Sequence, residues 1–112
     1  MTATYGATTT AALTNGVPVT GLAGATGSQT YFTLAVPTGR TSLTFVISGG
    51  TGDADLYVRL GSKPTTTAFN CRPFTNGNNE TCTFNAPAAG TWYVMLRGFR
   101  AYTGVSLKAT YV

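Results

Sequence analysis

The stretch SGGTGDADLYVRLG, residues 48–61, decides how the rest of the chain is interpreted. Its glycines lead into two aspartates, Asp53 and Asp55, and then into a run of residue types that favour β-strands. Within that run Leu56 and Val58 alternate with polar or aromatic side chains, which is the period of a strand with one buried face. The stretch therefore predicts a glycine turn followed by a strand. It leaves open whether the carboxylates form a catalytic pair, a metal site or part of the turn.

The same alternation recurs along the chain, and helix signals are almost absent. Apolar sets that share one strand face are Phe32, Leu34 and Val36; Leu43, Phe45 and Ile47; Trp92, Val94 and Leu96; and Val105, Leu107, Ala109 and Tyr111. Turn sequences such as Asn15-Gly16 and Pro37-Thr38-Gly39 separate these runs. Short strands at this spacing predict an all-β fold, a sandwich or jelly roll.

Composition limits the classes of function. The chain has 112 residues, which suits one domain, and only 9% of them are charged. The net charge of +4 comes from scattered basic residues, whereas a nucleic-acid interface needs a dense basic patch. No segment approaches the roughly 18 apolar residues of a membrane span. We therefore expect neither nucleic acid nor a membrane as a partner. No signal peptide is visible, so we interpret the chain as a mature domain cut from a longer precursor.

The chain contains two cysteines, Cys71 and Cys82. An even count in a chain of secreted character predicts a disulfide. The bridge would close the polar loop CRPFTNGNNETC and contribute about 3 kcal/mol in the chain-entropy model. Zinc is a poor alternative, because the sequence has no histidine and only these two thiols.

Three motifs carry a family resemblance: Gly52-Asp53-Ala54-Asp55-Leu56-Tyr57-Val58, the loop ending in Glu80-Thr81-Cys82, and Gly90-Thr91-Trp92-Tyr93-Val94. With them the chain resembles the bacterial pre-peptidase C-terminal domain, which is appended to secreted proteases. The resemblance covers residues 13–112, and we assign residues 1–12 to a linker or flexible N-terminal segment. It implies a β-sandwich of jelly-roll type, distantly similar to the collagen-binding domains of clostridial collagenases.

Three interpretations of Asp53 and Asp55 compete. Catalytic carboxylate pairs come from separate elements that converge on a cleft, whereas these two lie on one strand entrance without a histidine or nucleophile. Calcium needs six to eight oxygen ligands. The acidic segments that bind it in collagenase relatives read TYGATTTAALTNG and GSQTYF here, without a carboxylate. We therefore assign both aspartates structural roles. Asp53 is expected to accept backbone N–H bonds in the turn and Asp55 to pair with an arginine or a loop backbone. No cofactor is expected, with calcium as the alternative.

The faces opposite the apolar sets supply a candidate binding surface. If Trp92 belongs to the core, its neighbours on that strand face outward. On the strand of the opening stretch, Leu56 and Val58 face the core in the same way, so Tyr57 and Arg59 face outward. The candidate substrate-binding residues are Tyr93, Met95, Arg97, Tyr57, Arg59, Phe99 and Tyr102. Aromatic residues, methionine and arginine are enriched in interfaces, and a flat tyrosine-bearing face suits a rod-like ligand. The alternative is that the connection over residues 61–80 covers Tyr57 or Tyr93.

These observations favour a non-catalytic accessory domain of a secreted bacterial protease. Its partners would be an insoluble fibrous protein such as collagen or keratin, and the catalytic domain of the parent enzyme. The domain would be extracellular and monomeric. The alternative is a processing domain that assists secretion or folding of the protease and is removed on maturation. An independent hydrolase is least favoured, because no catalytic constellation is recognisable.

Overall fold

The computed structural model describes residues 10–73 and 77–112, and this part of the chain contains seven β-strands and no helix. The strands are β1 (Thr10–Ala12), β2 (Val19–Gly24), β3 (Gln29–Val36), β4 (Ser42–Ser48), β5 (Thr51–Leu60), β6 (Glu80–Asn85) and β7 (Gly90–Tyr111). The predicted all-β class is confirmed. No helix among the described residues has the length and apolar character needed to cross a bilayer.

The long strand β7 joins two sheets into a sandwich. Its first half pairs antiparallel with β3 on one side and β5 on the other, and β1 adds to β3 in parallel. We call these four strands sheet I. The second half of β7 pairs antiparallel with β2 and β4, and β6 adds to β4. These strands form sheet II. The pairings do not establish jelly-roll connectivity, which stays a prediction.

The core lies between the sheets and contains the residues that the alternation selected. Trp92, Val94 and Leu96 of β7 are buried, as are the apolar sets of β3 and β4. The Trp92 ring packs against Phe84 and Phe45 at centroid distances of 4.7 and 6.4 Å, and its Nε1 donates to the Ala88 carbonyl at 3.0 Å. The predicted structural role of Trp92 therefore agrees with its burial, because an indole in a core needs such an acceptor.

The glycine turn before β5 brings two backbones unusually close together. Gly50 and Gly52 have φ of +69° and +89°, which side chains other than glycine rarely adopt. A Cβ at Gly50 would collide with the Thr103 carbonyl oxygen, and one at Gly52 with that of Ala101. The glycines are thus required both by conformation and by the approach of β7.

The free edge of β5 is capped by the chain that follows it. We call the described residues between β5 and β6, 61–73 and 77–79, the β5–β6 connection. Every second amide from Ala54 to Leu60 points away from β7, and each donates to an acceptor 2.7–2.9 Å away. The acceptors are, in order, Asn78 Oδ1, Glu80 Oε1, the Cys71 carbonyl and Asn70 Oδ1. An open strand edge invites pairing with other chains, and here the connection removes that edge. The predicted Cys71–Cys82 disulfide is present and ties the connection to β6.

The N-terminal boundary lies close to the predicted one. Residues 10–12 fell within the segment that the sequence analysis assigned to a linker, but they form β1 and pair with β3 from Tyr31 to Thr33. Leu13 is buried beside them. The sandwich therefore includes residues 10–12, and residues 1–9 lie outside the described part.

Candidate functional site

The outer surface of sheet I, on the side away from the core, contains most of the predicted binding residues. Register places Thr33, Tyr93 and Arg59 in one row across β3, β7 and β5. The next row is Tyr31, Met95 and Tyr57, and the third is Gln29, Arg97 and Asp55. Strand alternation therefore assigned these side chains to the correct side of the sheet.

Two of the residues expected on the surface are buried instead. Tyr57 and Met95 are 1% and 0% exposed, so the prediction that they form an open patch is wrong. The physical reason is the β5–β6 connection, which packs over this part of the sheet. The Phe69 ring contacts the Tyr57 ring edge-on at a centroid distance of 5.6 Å. The Arg72 guanidinium lies over the Tyr57 ring, 5.1 Å from its centroid. The outer surface thus has a small second core.

Tyr102 is also buried, at 2% exposure, and the prediction that it forms part of a binding surface is wrong as well. It lies where β7 pairs with β2 as well as with β5 and where both pairings shift register, and its side chain joins the main core. Burial raises the pKa of Tyr102, while the hydroxyl groups of Thr30 and Ser28 near its phenol oxygen oppose the rise. The alternation alone could not locate these register shifts.

The residues that remain accessible form a smaller patch, which we call the outer-face stripe: Tyr31, Arg59, Tyr93 and Arg97. All four are partly exposed. The Lys63 ammonium lies 4.8 Å from the centroid of the Tyr31 ring and extends the cationic character of the stripe. Sequence reasoning missed Tyr31, although the assignment of Phe32 to the core implied that its neighbour faces outward.

Phe99 lies apart from the stripe and is 52% exposed. It borders a groove of about 350 Å³, which is lined by Gly52, Asp53, Gly77, Phe99 and Arg100. Of the seven predicted substrate-binding residues, the structure therefore leaves Tyr93, Arg97, Arg59 and Phe99 at least partly accessible. It divides them between the stripe and this groove.

The two aspartates of the opening stretch meet a third carboxylate. Asp53, Asp55 and Glu80 are all buried, and one carboxylate oxygen from each lies within 4.8 Å of the others. Asp55 contacts Arg72 with Oδ2 3.6 Å from Nη2, which agrees with the predicted arginine partner. Burial raises the pKa of Asp55 and the negative charge of Asp53 adds to the rise, while Arg72 and a hydrogen-bonding contact with Glu80 oppose it.

The turn role expected of Asp53 belongs to another side chain. Asn78 Nδ2 donates to the Gly49 and Thr51 carbonyls at 2.9 and 3.1 Å, and its Oδ1 accepts from the Ala54 amide. Oδ1 of Asp53 is buried and has no hydrogen-bond partner among the described residues. Glu80 was noted in the sequence only as a member of the cysteine loop. The Cys71–Cys82 disulfide is the signal that could have located it, because Cys82 follows Glu80 by two residues and Cys71 pairs with Val58 of β5.

Comparison with known proteins identifies the family. The profile of the bacterial pre-peptidase C-terminal domain matches residues 28–98. Over 99 residues the chain is 52% identical to alkaline serine exoprotease A of Vibrio alginolyticus and 56% identical to an extracellular protease of Xanthomonas campestris. Both alignments cover 88% of this chain but only 18% and 17% of the relatives, so the chain spans a small part of such proteases. A microbial collagenase of Vibrio vulnificus is 33% identical over 94 residues, which are 80% of this chain and 12% of the collagenase.

Solved structures share the fold. The solution structure of vEP C-ter 100 has a TM-score of 0.73 and 45% identity, and the match covers 88% of this chain and 96% of that one. The pre-peptidase C-terminal domain of a collagenase from Bacillus anthracis has a TM-score of 0.72 at 12% identity, covering 91% and 95%, which is a likeness of fold alone. The resemblance read from the sequence is thus confirmed: the chain belongs to the bacterial pre-peptidase C-terminal domain family, as a small accessory, non-catalytic domain of secreted proteases.

Proposed function

We propose that this domain binds insoluble fibrous protein, such as collagen or keratin, and holds its parent protease on that substrate. The observation that carries the proposal is the outer-face stripe. It presents two tyrosines and two arginines, all partly exposed, on one side of sheet I. Tyrosine offers a rigid amphipathic contact and arginine a planar donor, and both are enriched where binding energy concentrates.

The geometry of the stripe suits an extended ligand. Its members lie on three neighbouring strands, β3, β7 and β5, which are about 4.8 Å apart, so they spread over the side of the sheet instead of enclosing a pocket. A fibre provides many equivalent sites, and tethering the catalytic domain to it raises the local substrate concentration. The collagenase relative supports the choice of collagen as one ligand to test, because 80% of this chain aligns with it.

The alternative is a processing domain that assists secretion or folding of the protease. One observation favours it: the β5–β6 connection buries Tyr57 and Met95, so the accessible aromatic surface is smaller than the sequence implied. A domain of this kind would need the stripe only for contact with its own protease. It would show background affinity for fibres.

Retention on insoluble polymers separates the two functions. The isolated domain is incubated with collagen, keratin, chitin and cellulose, and the bound fraction is measured over a range of protein concentrations. We expect saturable retention on collagen or keratin, weakened several-fold by Arg59→Ala. Lys108→Ala is the matched control, because it removes an exposed positive charge from the outer side of sheet II. Background retention of the wild type on all four polymers would refute fibre binding and favour the processing domain.

A further inference from the structure

All the acidic side chains of this protein meet at one place. The sequence contains three acidic residues in total, and these are the three that converge within 4.8 Å. Asp53 and Asp55 come from β5, and Glu80 begins β6. The exposed fractions are 8%, 5% and 2%, so each residue is more than nine-tenths buried. Burying carboxylates is costly unless a counter-charge is supplied, and the site therefore needs positive charge.

Three arginines supply positive charge near the cluster, and two of them are at solvent-accessible positions. Arg72 approaches Asp55 at 3.6 Å and its guanidinium also lies over the Tyr57 ring. Arg97 and Arg100 are the register partners of Asp55 and Asp53 on β7. Arg97 is partly exposed and Arg100 is exposed, so solvent and salt screen the charges of both.

A proton shared by two carboxyl groups would not complete the site either. Asp55 and Glu80 are within hydrogen-bonding contact, and one proton between them would relieve their repulsion. That proton would leave Asp53 Oδ1 as it is, a buried carboxylate oxygen with no hydrogen-bond partner in the described structure. A cation at the centre of the cluster would contact all three residues at once. The partnerless oxygen therefore favours a metal ion over a proton.

We propose that Asp53, Asp55 and Glu80 bind a calcium ion. The donors are all oxygen, since both cysteines are in the disulfide and the chain has no histidine, and this excludes the sites that zinc prefers. Calcium–oxygen distances are about 2.3–2.6 Å, so two ligands on opposite sides of the ion lie about 4.6–5.2 Å apart. All three ligand atoms lie within 4.8 Å of one another, a span that this ion can bridge. Magnesium fits less well, because it demands near-ideal octahedral geometry and gives up its waters reluctantly.

The groove beside Asp53 gives the ion a route and further ligands. It is lined in part by Gly52 and Gly77, which have no side chains to obstruct it, and its volume of about 350 Å³ admits several waters. Waters complete the coordination of calcium when a protein supplies few ligands. Because Glu80 also accepts the Leu56 amide, the ion would fasten the start of β6 to the capped edge of β5.

The test compares calcium-free and calcium-loaded protein. The domain is stripped with a chelator and titrated with calcium by calorimetry up to roughly 10 mM, above the 10⁻⁴–10⁻³ M range of weak extracellular sites. Tm is recorded in parallel, at constant ionic strength and against magnesium. We expect a saturable binding heat and a Tm rise of at least about 5 °C at 10 mM calcium, which is roughly 10- to 100-fold above a Kd in that range. Magnesium should give a much smaller shift.

The variant Asp53→Asn assigns the binding to this cluster. It keeps the size of the side chain and should fold, because the lost charge has no internal partner at Oδ1. Calcium affinity should fall at least ten-fold. Thr83→Lys changes the net charge by the same amount at an exposed position on β6, and its calcium affinity should stay within about two-fold of the wild type. Absence of a calcium heat and Tm shift in the wild type would overturn the proposal, as would equal effects of magnesium or unchanged affinity in Asp53→Asn.

Discussion

The two sides of sheet I differ in what covers them, although the same strands build both. On the inner side, Trp92, Val94 and Leu96 face sheet II and are buried along the whole length of the strand. On the outer side Met95 is as deeply buried as its inner neighbours, while Tyr93 remains partly exposed. The difference arises because a sheet covers the first side completely and a connection covers the second in part. Strand alternation decides which side a residue faces, and the packing of distant chain segments decides whether it meets water.

The largest expected effect tests the inner side. Trp92→Ala removes a ring that contacts Phe84 and Phe45 and leaves the Ala88 carbonyl without its donor. We expect the free energy of unfolding to fall by about 3–5 kcal/mol, measured by urea denaturation. Trp92→Phe keeps an aromatic ring in the core, so its free energy of unfolding should fall by clearly less than that of Trp92→Ala. If Trp92→Ala were as stable as the wild type, the assignment of the inner side would be wrong.

An intermediate effect tests what covers the outer side. The double variant Cys71→Ser and Cys82→Ser releases the β5–β6 connection, and we expect the free energy of unfolding to fall by about 3 kcal/mol. Hydrogen exchange gives the sharper measurement. The Val58 amide donates to the Cys71 carbonyl, so its protection should fall more than that of Val94, which lies in the middle of the sheet. Equal loss of protection at both amides would mean that the disulfide stabilises the whole domain without holding the connection locally.

The fold was predictable from sequence because its determinants are local. The glycines before Asp53 predicted the turn, the alternation of apolar residues predicted the strands, and the two cysteines predicted the disulfide. The candidate site was predictable only in part, since it depends on contacts between segments distant in sequence. Nothing near Tyr57 in the chain reveals that Phe69 and Arg72 fold back over its ring. Likewise the position of Glu80 beside Asp55 follows from the capping of β5, which no short-range pattern encodes.

The smallest expected effect on stability concerns the part of the outer side that the connection leaves open. Tyr93→Ala should change the free energy of unfolding by less than about 1 kcal/mol, because the side chain is partly exposed and packs less than a core residue. Tyr57→Ala is the matched comparison: it removes the same residue type from the same side of the sheet. At 1% exposure beneath Phe69 and Arg72, its loss should cost roughly 3 kcal/mol or more.

For binding to fibres, Tyr93→Ala should matter although it has little effect on stability. Tyr93 is an anchor of the outer-face stripe, and truncating such an anchor typically costs about 1–2 kcal/mol, a loss of roughly five- to thirty-fold in affinity. Tyr93→Ala should therefore lower retention on insoluble collagen or keratin while Tm moves little. Tyr93→Phe keeps the ring and separates the contribution of the hydroxyl from that of the aromatic surface. If Tyr93→Ala unfolded the domain, the stripe would be part of the second core. If its retention matched the wild type in a stable fold, fibre binding would have to reside elsewhere, with the groove beside Phe99 as the next surface to mutate.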